Sequence, residues 1–312
     1  MKGHGPADPG TTPCVAGVTT FLRLPHVGDL TGVDLAVVGL PFESGTDLTE
    51  GASFGPRAVR EGSLSLRPLY NVAQRVAVFE RLSAVDHGDA TVVTGAAGPS
   101  LEAFETELGA VHRARVVPLG LGGDRTVLVA ELRAAAAAHG PLALVLFTAE
   151  VDSDDVGGEP PENGTPVRRA IDEGLIDARR STILGLRGGA YGPDDDERLR
   201  ELGFDVFPWD DLVQLGSGAV AAAVERAAGK AFLSFDIDFV DPAFAPGTGA
   251  PRCGGPTSAQ ALALVRACRG LEIAAADVVG VVPDRDVSRL TGTLAATVAW
   301  EIMSLVACEA GS

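Results

Sequence analysis

Short apolar runs alternate with helix-like stretches along most of the chain, and this alternation restricts its architecture more than any other feature. Leu35–Leu40, Val116–Leu121, Leu142–Phe147, Thr182–Leu186, Ala231–Phe235 and Val278–Val282 read as buried strands, each closed by glycines or polar residues. Between them, Thr126–His139 is alanine-rich and stops at Gly140, Ala219–Ala228 stops at Gly229, and Ser258–Arg269 opens on a Thr/Ser cap. Strands that alternate with helices predict βα units feeding a parallel sheet covered on both faces. The expected fold is therefore α/β: a three-layer α/β/α arrangement around a central, mainly parallel sheet. No internal repeat or long linker interrupts the pattern, so residues 21–312 are expected to form one domain, preceded by a flexible arm over residues 1–20.

Composition narrows the partners. Of the 312 residues, 46% are hydrophobic, ample for a sizeable core. A formal charge of -17 argues against nucleic acid, whose binding rests on cationic side chains neutralising phosphates. The longest apolar candidate, Ala134–Phe147, is broken by His139, Gly140 and Pro141, which predicts no membrane span. The first 17 residues hold Gly, Pro and Thr without an apolar stretch, so a cytoplasmic location is expected. Cys14, Cys253, Cys268 and Cys308 are scattered without a C-x-x-C pair, which disfavours a zinc knuckle or a redox dithiol.

In open parallel sheets, ligands collect at the carboxyl ends of the strands. Three such ends carry unusual residues. After Ala231–Phe235 come Asp236 and Asp238; residues two apart on a strand share a face, which places these carboxylates roughly 7 Å apart. A divalent metal between them, a pair of caps, or a loop salt bridge would each relieve their repulsion. After Leu142–Phe147 come Glu150 and Asp152, again alternating; they face the same mouth, or else belong to a solvated acidic loop. The third end, Gly120 to Thr126, is glycine-rich, but its spacing is not G-x-G-x-x-G and Asp124 would repel a phosphate. His26, His87, His112 and His139 lie outside these clusters.

Five segments taken in order resemble the ureohydrolase family of arginase, agmatinase, guanidinobutyrase and proclavaminate amidinohydrolase. They are Gly39–Thr46 with Gly51–Arg57, Gly122–Arg125, Thr148–Asp152, Asn163–Pro166 with Ile171–Ile176, and Ser234–Gly255. The agmatinase and proclavaminate amidinohydrolase branch looks closest. The resemblance implies an arginase-like fold, a homo-oligomer (trimer or hexamer) and a small-molecule substrate. It also implies two manganese ions, held by two histidines and four aspartates, whose bridging hydroxide attacks a guanidinium carbon. Set against that pattern, one metal histidine is Arg125, the first Asp and the His of the Asp-Ala-His-x-Asp motif are Thr148 and Glu150, and the proton-transfer histidine is Asn163. The acidic residue that grips the guanidinium is Gly280. Asp152, Asp236 and Asp238 match.

Arginine cannot ligate a metal, and a guanidinium about 4 Å from a divalent ion repels it by several kcal/mol even at an effective dielectric near 20. These substitutions predict that Arg125 fills one ion's place, paired with Asp152 and Asp236. No cofactor is then expected, or at most one Mn, Mg or Ca ion on Glu150, Asp236 and Asp238. The expected function is a repurposed, metal-independent or single-metal enzyme of specialised metabolism acting on a small polar metabolite that bears guanidino or amino groups. Glu150, Asp152, Arg125 and Asn163 are its candidate catalytic residues, and Thr148, Asp236, Asp238, Gly280 and Arg187 line its candidate pocket. A non-catalytic regulatory or scaffold subunit is the alternative, with an ordinary manganese amidinohydrolase as the third reading.

Overall fold

Branched aliphatic runs without polar alternation form strands buried on both faces, because only a sheet covered by two helical layers hides every second side chain as well as the first. In a computed structural model, which describes residues 3–8, 16–44, 50–151, 166–189, 192 and 195–310, eight such strands pair. They are β1 (Leu35–Leu40), β2 (Ala84–Asp89), β3 (Val117–Gly122), β4 (Ala143–Phe147), β5 (Thr182–Leu184), β6 (Asp205–Phe207), β7 (Lys230–Asp236) and β8 (Glu272–Val279). Their order is β2-β1-β3-β8-β7-β4-β5-β6, and every pairing is parallel. The expected α/β architecture is the observed one.

Side-chain alternation splits the core into two layers. Leu35 and Val37 of β1 face one side, with α1 (Gly55–Ser63), α5 (Ser217–Ala227), α6 (Ser258–Arg266) and α7 (Leu290–Glu309) contributing Val59, Val220, Leu264 and Val298 to the same cluster. Ala36 and Val38 face the other side, against α2 (Ala97–Arg113) and α3 (Val127–His139). Farther along the sheet, Leu144 and Leu146 pack on α3 and α4 (Pro166–Asp172). The predicted cap of α6 is a capping box: Thr257 Oγ1 accepts from the Gln260 amide at 3.2 Å, and Gln260 Oε1 accepts from the Thr257 amide at 2.9 Å.

Two expectations need correction. Residues 3–8 do not hang free: the His4 amide donates to Ser83 Oγ and the Ala84 amide to the His4 carbonyl, both at 3.0 Å. An apolar stretch long enough to cross a membrane also exists: Val287–Glu309 passes by length and composition, but 72% of its window is buried within the protein. At its centre Glu301 is 0% exposed. Its carboxylate accepts from Arg266 Nε at 2.8 Å, Asn71 Nδ2 at 2.8 Å and Gln74 Nε2 at 2.7 Å, which makes α7 a core helix.

A second buried charge locks α1 to the sheet. Arg60 donates Nε to Asp86 Oδ2 at 2.8 Å and Nη2 to Asp86 Oδ1 at 2.9 Å, and the Phe21 amide donates to the same carboxylate at 2.7 Å.

A third buried set is unbalanced in charge. Glu131 of α3 and Asp277 of β8 lie side by side, both carboxyls raised above their ordinary values by burial, with Asp277 pushed up to about 6. Glu131 is raised further by the charge on Asp277. The folded protein thus keeps a proton there that the unfolded chain releases near pH 4, so stability falls as pH rises from there through about 6. We expect Asp277→Asn to flatten that decline in a series of thermal melts, because asparagine keeps the Oδ1 that accepts from the Phe235 amide at 3.2 Å. Equal pH slopes in variant and wild type would count against a shared proton.

Candidate functional site

Four central strands, β3, β8, β7 and β4, end side by side, and the residues following them form the site. After β3 the chain turns through Gly123. A Cβ there would lie 1.8 Å from the Phe42 carbonyl oxygen, so only glycine lets the two backbones pass. Asp124 then fixes the turn, accepting from the Ser44 amide at 2.6 Å and the Thr126 amide at 2.9 Å. Arg125 is thereby aimed across the strand ends.

The acids differ in detail from the expected strand-borne pair. β7 ends at Asp236, whose Oδ1 accepts from the Asp238 amide at 3.0 Å and caps a single 3-10 turn, Ile237–Phe239. Asp238 therefore sits on a turn rather than on the strand. Its Oδ1 accepts from the Ala149 amide at 3.0 Å and lies 3.1 Å from the Thr148 hydroxyl, tying the β4 and β7 ends together. Burial pushes both carboxyls above their ordinary values; for Asp236 the neighbouring Asp238 adds to the rise, and Arg125 opposes it for both.

Arg125 lies among these acids with its side chain 14% exposed. Nη2 donates to Glu150 Oε1 at 2.8 Å and Nη1 to the Glu150 carbonyl at 2.9 Å. Nη2 is also 3.4 Å from Asp238 Oδ2, and Nε is 3.5 Å from Asp236 Oδ2. Among the described residues its closest carboxylate is Glu150, where the sequence suggested Asp152. Asp152 and Asn163 lie outside the described residues.

Arg187 takes a role the sequence did not show. Nη2 donates to the Asp238 and Arg252 carbonyls, each at 2.8 Å, so this arginine braces the loop over the mouth rather than lining the cavity. Arg252, which sequence reasoning passed over, contacts the site directly: Nε donates to Glu150 Oε2 at 2.8 Å and Nη2 reaches the same oxygen. Its one sequence signal is its place just beyond the turn-rich run Pro246–Pro251. Gly280 ends β8 with φ at 85°, and a Cβ there would fall 2.5 Å from Asp236 Oδ1, so the glycine admits that carboxylate.

The cavity bounded by Arg125, Thr148, Glu150, Pro166 and Asp236 holds about 20 Å³ of free space, room for about one water.

A parallel sheet covered on both faces, with carboxylates gathered at its central strand ends, defines the class of α/β proteins whose ligand sites lie at that edge. The chain belongs to the arginase family, whose profile matches residues 33–305. It is 42% identical to guanidinopropionase of Pseudomonas aeruginosa over 97% of this chain and 96% of that one. Guanidinobutyrase of the same organism is 37% identical over 97% of each chain. Among solved structures, proclavaminate amidinohydrolase from Streptomyces clavuligerus superposes with a TM-score of 0.89 at 35% identity, covering 95% of this chain and 99% of the other.

These relatives overturn two expectations. Near full-length identity to amidinohydrolases contradicts a metal-independent or single-metal enzyme of altered chemistry, and equally a non-catalytic scaffold; the reading placed third, an ordinary amidinohydrolase, is the supported one. Membership of a manganese-dependent family likewise contradicts the expectation of no cofactor, or at most one Mn, Mg or Ca ion. A formiminoglutamase from Trypanosoma cruzi that shares the fold, with a TM-score of 0.80 at 20% identity over 92% of this chain and 98% of that one, was itself solved with Mn2+.

Among the described residues, the side chains do not form a manganese cradle. Among the described residues no three His, Cys, Asp or Glu groups gather closely enough to hold an ion, so Glu150, Asp236 and Asp238 do not converge on one point as the sequence suggested. Arg125 stands between them, and at an effective dielectric near 20 each unit of positive charge about 4 Å away costs about 4 kcal/mol. A manganese pair does not fit this arrangement of the described side chains.

Proposed function

We propose that this protein hydrolyses the terminal guanidino group of a small carboxylic acid. Water adds to the guanidinium carbon, the C–N bond to the substrate chain breaks, and the products are urea and a primary amine that keeps the transferred proton. The observation that carries the reading is the ring of Glu150, Asp236 and Asp238 around a guanidinium, that of Arg125. A cluster that satisfies one planar cation with several carboxylate oxygens suits another of the same shape.

Arg252, 40% exposed at the rim, favours an acid over an amine at the substrate's far end. The names guanidinopropionase and guanidinobutyrase point the same way, whereas agmatine would bring an amine toward that arginine. In this reading Asp236, Asp238 and Glu150 bind the cation, Thr148 and Arg187 hold the β4 and β7 ends in place, and Gly280 leaves room for Asp236. Asp152 and Asn163 are assigned to proton handling. The family's manganese site is altered here, with Arg125, Thr148 and Glu150 at three of the positions its pattern reserves for ligands. Residues 21–312 acting as one unit, self-association as a trimer or hexamer, and a cytoplasmic location belong to the same proposal.

A urea-release assay with manganese supplied, run across guanidino acids of increasing chain length alongside agmatine and arginine, tests it. Turnover is expected on at least one guanidino acid and to exceed that on agmatine by up to about fivefold, since one exposed charge contact is worth up to roughly 1 kcal/mol. Absence of urea from every compound ends the proposal.

A further inference from the structure

We infer that a second pocket, at the opposite edge of the sheet from the strand-end site, binds a small organic anion carrying two or more carboxylate or phosphate groups. Three parts of the chain build it: the hairpin of Tyr70–Asn71 with Val76–Ala77, the connection between α6 and β8, and the last turn of α7. Arg269 stands just ahead of β8, whose far end borders the first site. The eight residues of that strand, roughly 26 Å, therefore separate the two.

The chain carries a net charge of -17, yet this cavity gathers Arg75, Arg81 and Arg269 around a single carboxylate, Glu309. Arg75 and Arg81 are exposed, and among the described residues neither forms a hydrogen bond or an ion pair. Arg269 is fixed in place: Nη2 donates to the Gln74 carbonyl at 2.7 Å and lies 3.0 Å from Cys308 Sγ. Its Nε and Nη1 donors remain without a protein partner among the described residues. Gln74, 6% exposed, is held in turn by Glu301, to which Nε2 donates at 2.7 Å. A rigid floor thus supports three guanidinium groups whose like charges repel, and an anion with several oxyanion groups offsets that repulsion. Each guanidinium presents a planar fork of donors that matches a carboxylate or a phosphate. The cavity holds about 560 Å³, within the range of small-molecule sites and too large for a bare inorganic ion, so the charged groups sit on a carbon skeleton. The acidic surface around it repels an extended polyanion, which confines the ligand to a compact one.

Calorimetric titration of the full-length protein with citrate and with fructose 1,6-bisphosphate, at constant ionic strength, tests the inference. The two ligands separate a carboxylate preference from a phosphate one, and fructose is the uncharged control. At least one anion is expected to bind at one equivalent per chain with a Kd below about 1 mM. Arg75→Gln combined with Arg81→Gln should weaken binding by about tenfold, since each exposed charge contact is worth up to about fivefold. Neither side chain supports the fold, so this variant should melt with the wild type. Arg168→Gln combined with Arg200→Gln removes two exposed cations from other helices and should bind as the wild type does. The inference is overturned if neither anion binds, if the Arg75/Arg81 variant keeps wild-type affinity, or if the Arg168/Arg200 variant weakens equally. An acidic face of a second copy seated in the cavity also overturns it, and shows as failure of both anions together with dissociation of the Arg75/Arg81 variant on gel filtration. Urea release is not read, so this outcome is separate from that of the substrate assay.

Discussion

Arg60→Ala is expected to lower the melting temperature by roughly 6–10 °C. Removing one partner of a buried ion pair costs about 3–5 kcal/mol, because the other charge stays buried without compensation, and a domain of this size loses roughly 2 °C per kcal/mol. Asp86 is 0% exposed, and two of its contacts come from Arg60. The Phe21 and Gly88 amides, at 2.7 and 3.0 Å, would remain, too little to satisfy a carboxylate there. Asp86→Asn keeps oxygen and shape while removing the charge, and should lose less than Arg60→Ala. Calorimetry on both variants checks the ranking; an Arg60→Ala protein that melts with the wild type would refute the idea that this pair anchors α1.

The second large effect is on turnover. Asp238→Asn is expected to reduce urea release by about a hundredfold or more, matching the roughly 3–5 kcal/mol attached to a desolvated charge pair. The side chain of Asp238 is 1% exposed. Its Oδ1 accepts from the Ala149 amide at 3.0 Å, and asparagine can keep that bond while losing the negative charge. Folding should therefore survive and catalysis should not. Near-normal activity in a folded Asp238→Asn protein would remove Asp238 from the cation site.

The sheet was legible because its strands are continuous apolar runs, and five of the eight showed themselves over most of their length. The edge strand β2 did not: its second half, His87, Gly88 and Asp89, is polar, since an edge strand needs no second covering layer. β6 is three residues long and also at an edge. The predicted strand Val278–Val282 shares only Val278 and Val279 with β8, which begins at Glu272 and stops at Val279, where Gly280 turns the backbone to positive φ. α7 was missed for the opposite reason: apolar on nearly every side, it has no polar stripe to set a helical period.

At the site, part of the charged cluster was legible in the sequence and its partnerships less so. Arg125, Glu150, Asp236 and Asp238 do meet, since strand ends in one sheet must. Which acid the arginine chooses depends on the turn after Asp236 and on the loop carrying Arg252, and neither leaves a periodic trace in sequence. Inferring lost metal chemistry from single substitutions went too far, because it gave each altered residue more weight than the agreement of the remaining chain with working amidinohydrolases.

The rigid stem beneath Arg125 has an evolutionary corollary. A histidine codon differs from an arginine codon by one base, and Gly123 and Asp124 hold the main chain independently of the side chain that comes after them. One base change can therefore alter the charge at the centre of this mouth without refolding the surrounding sheet.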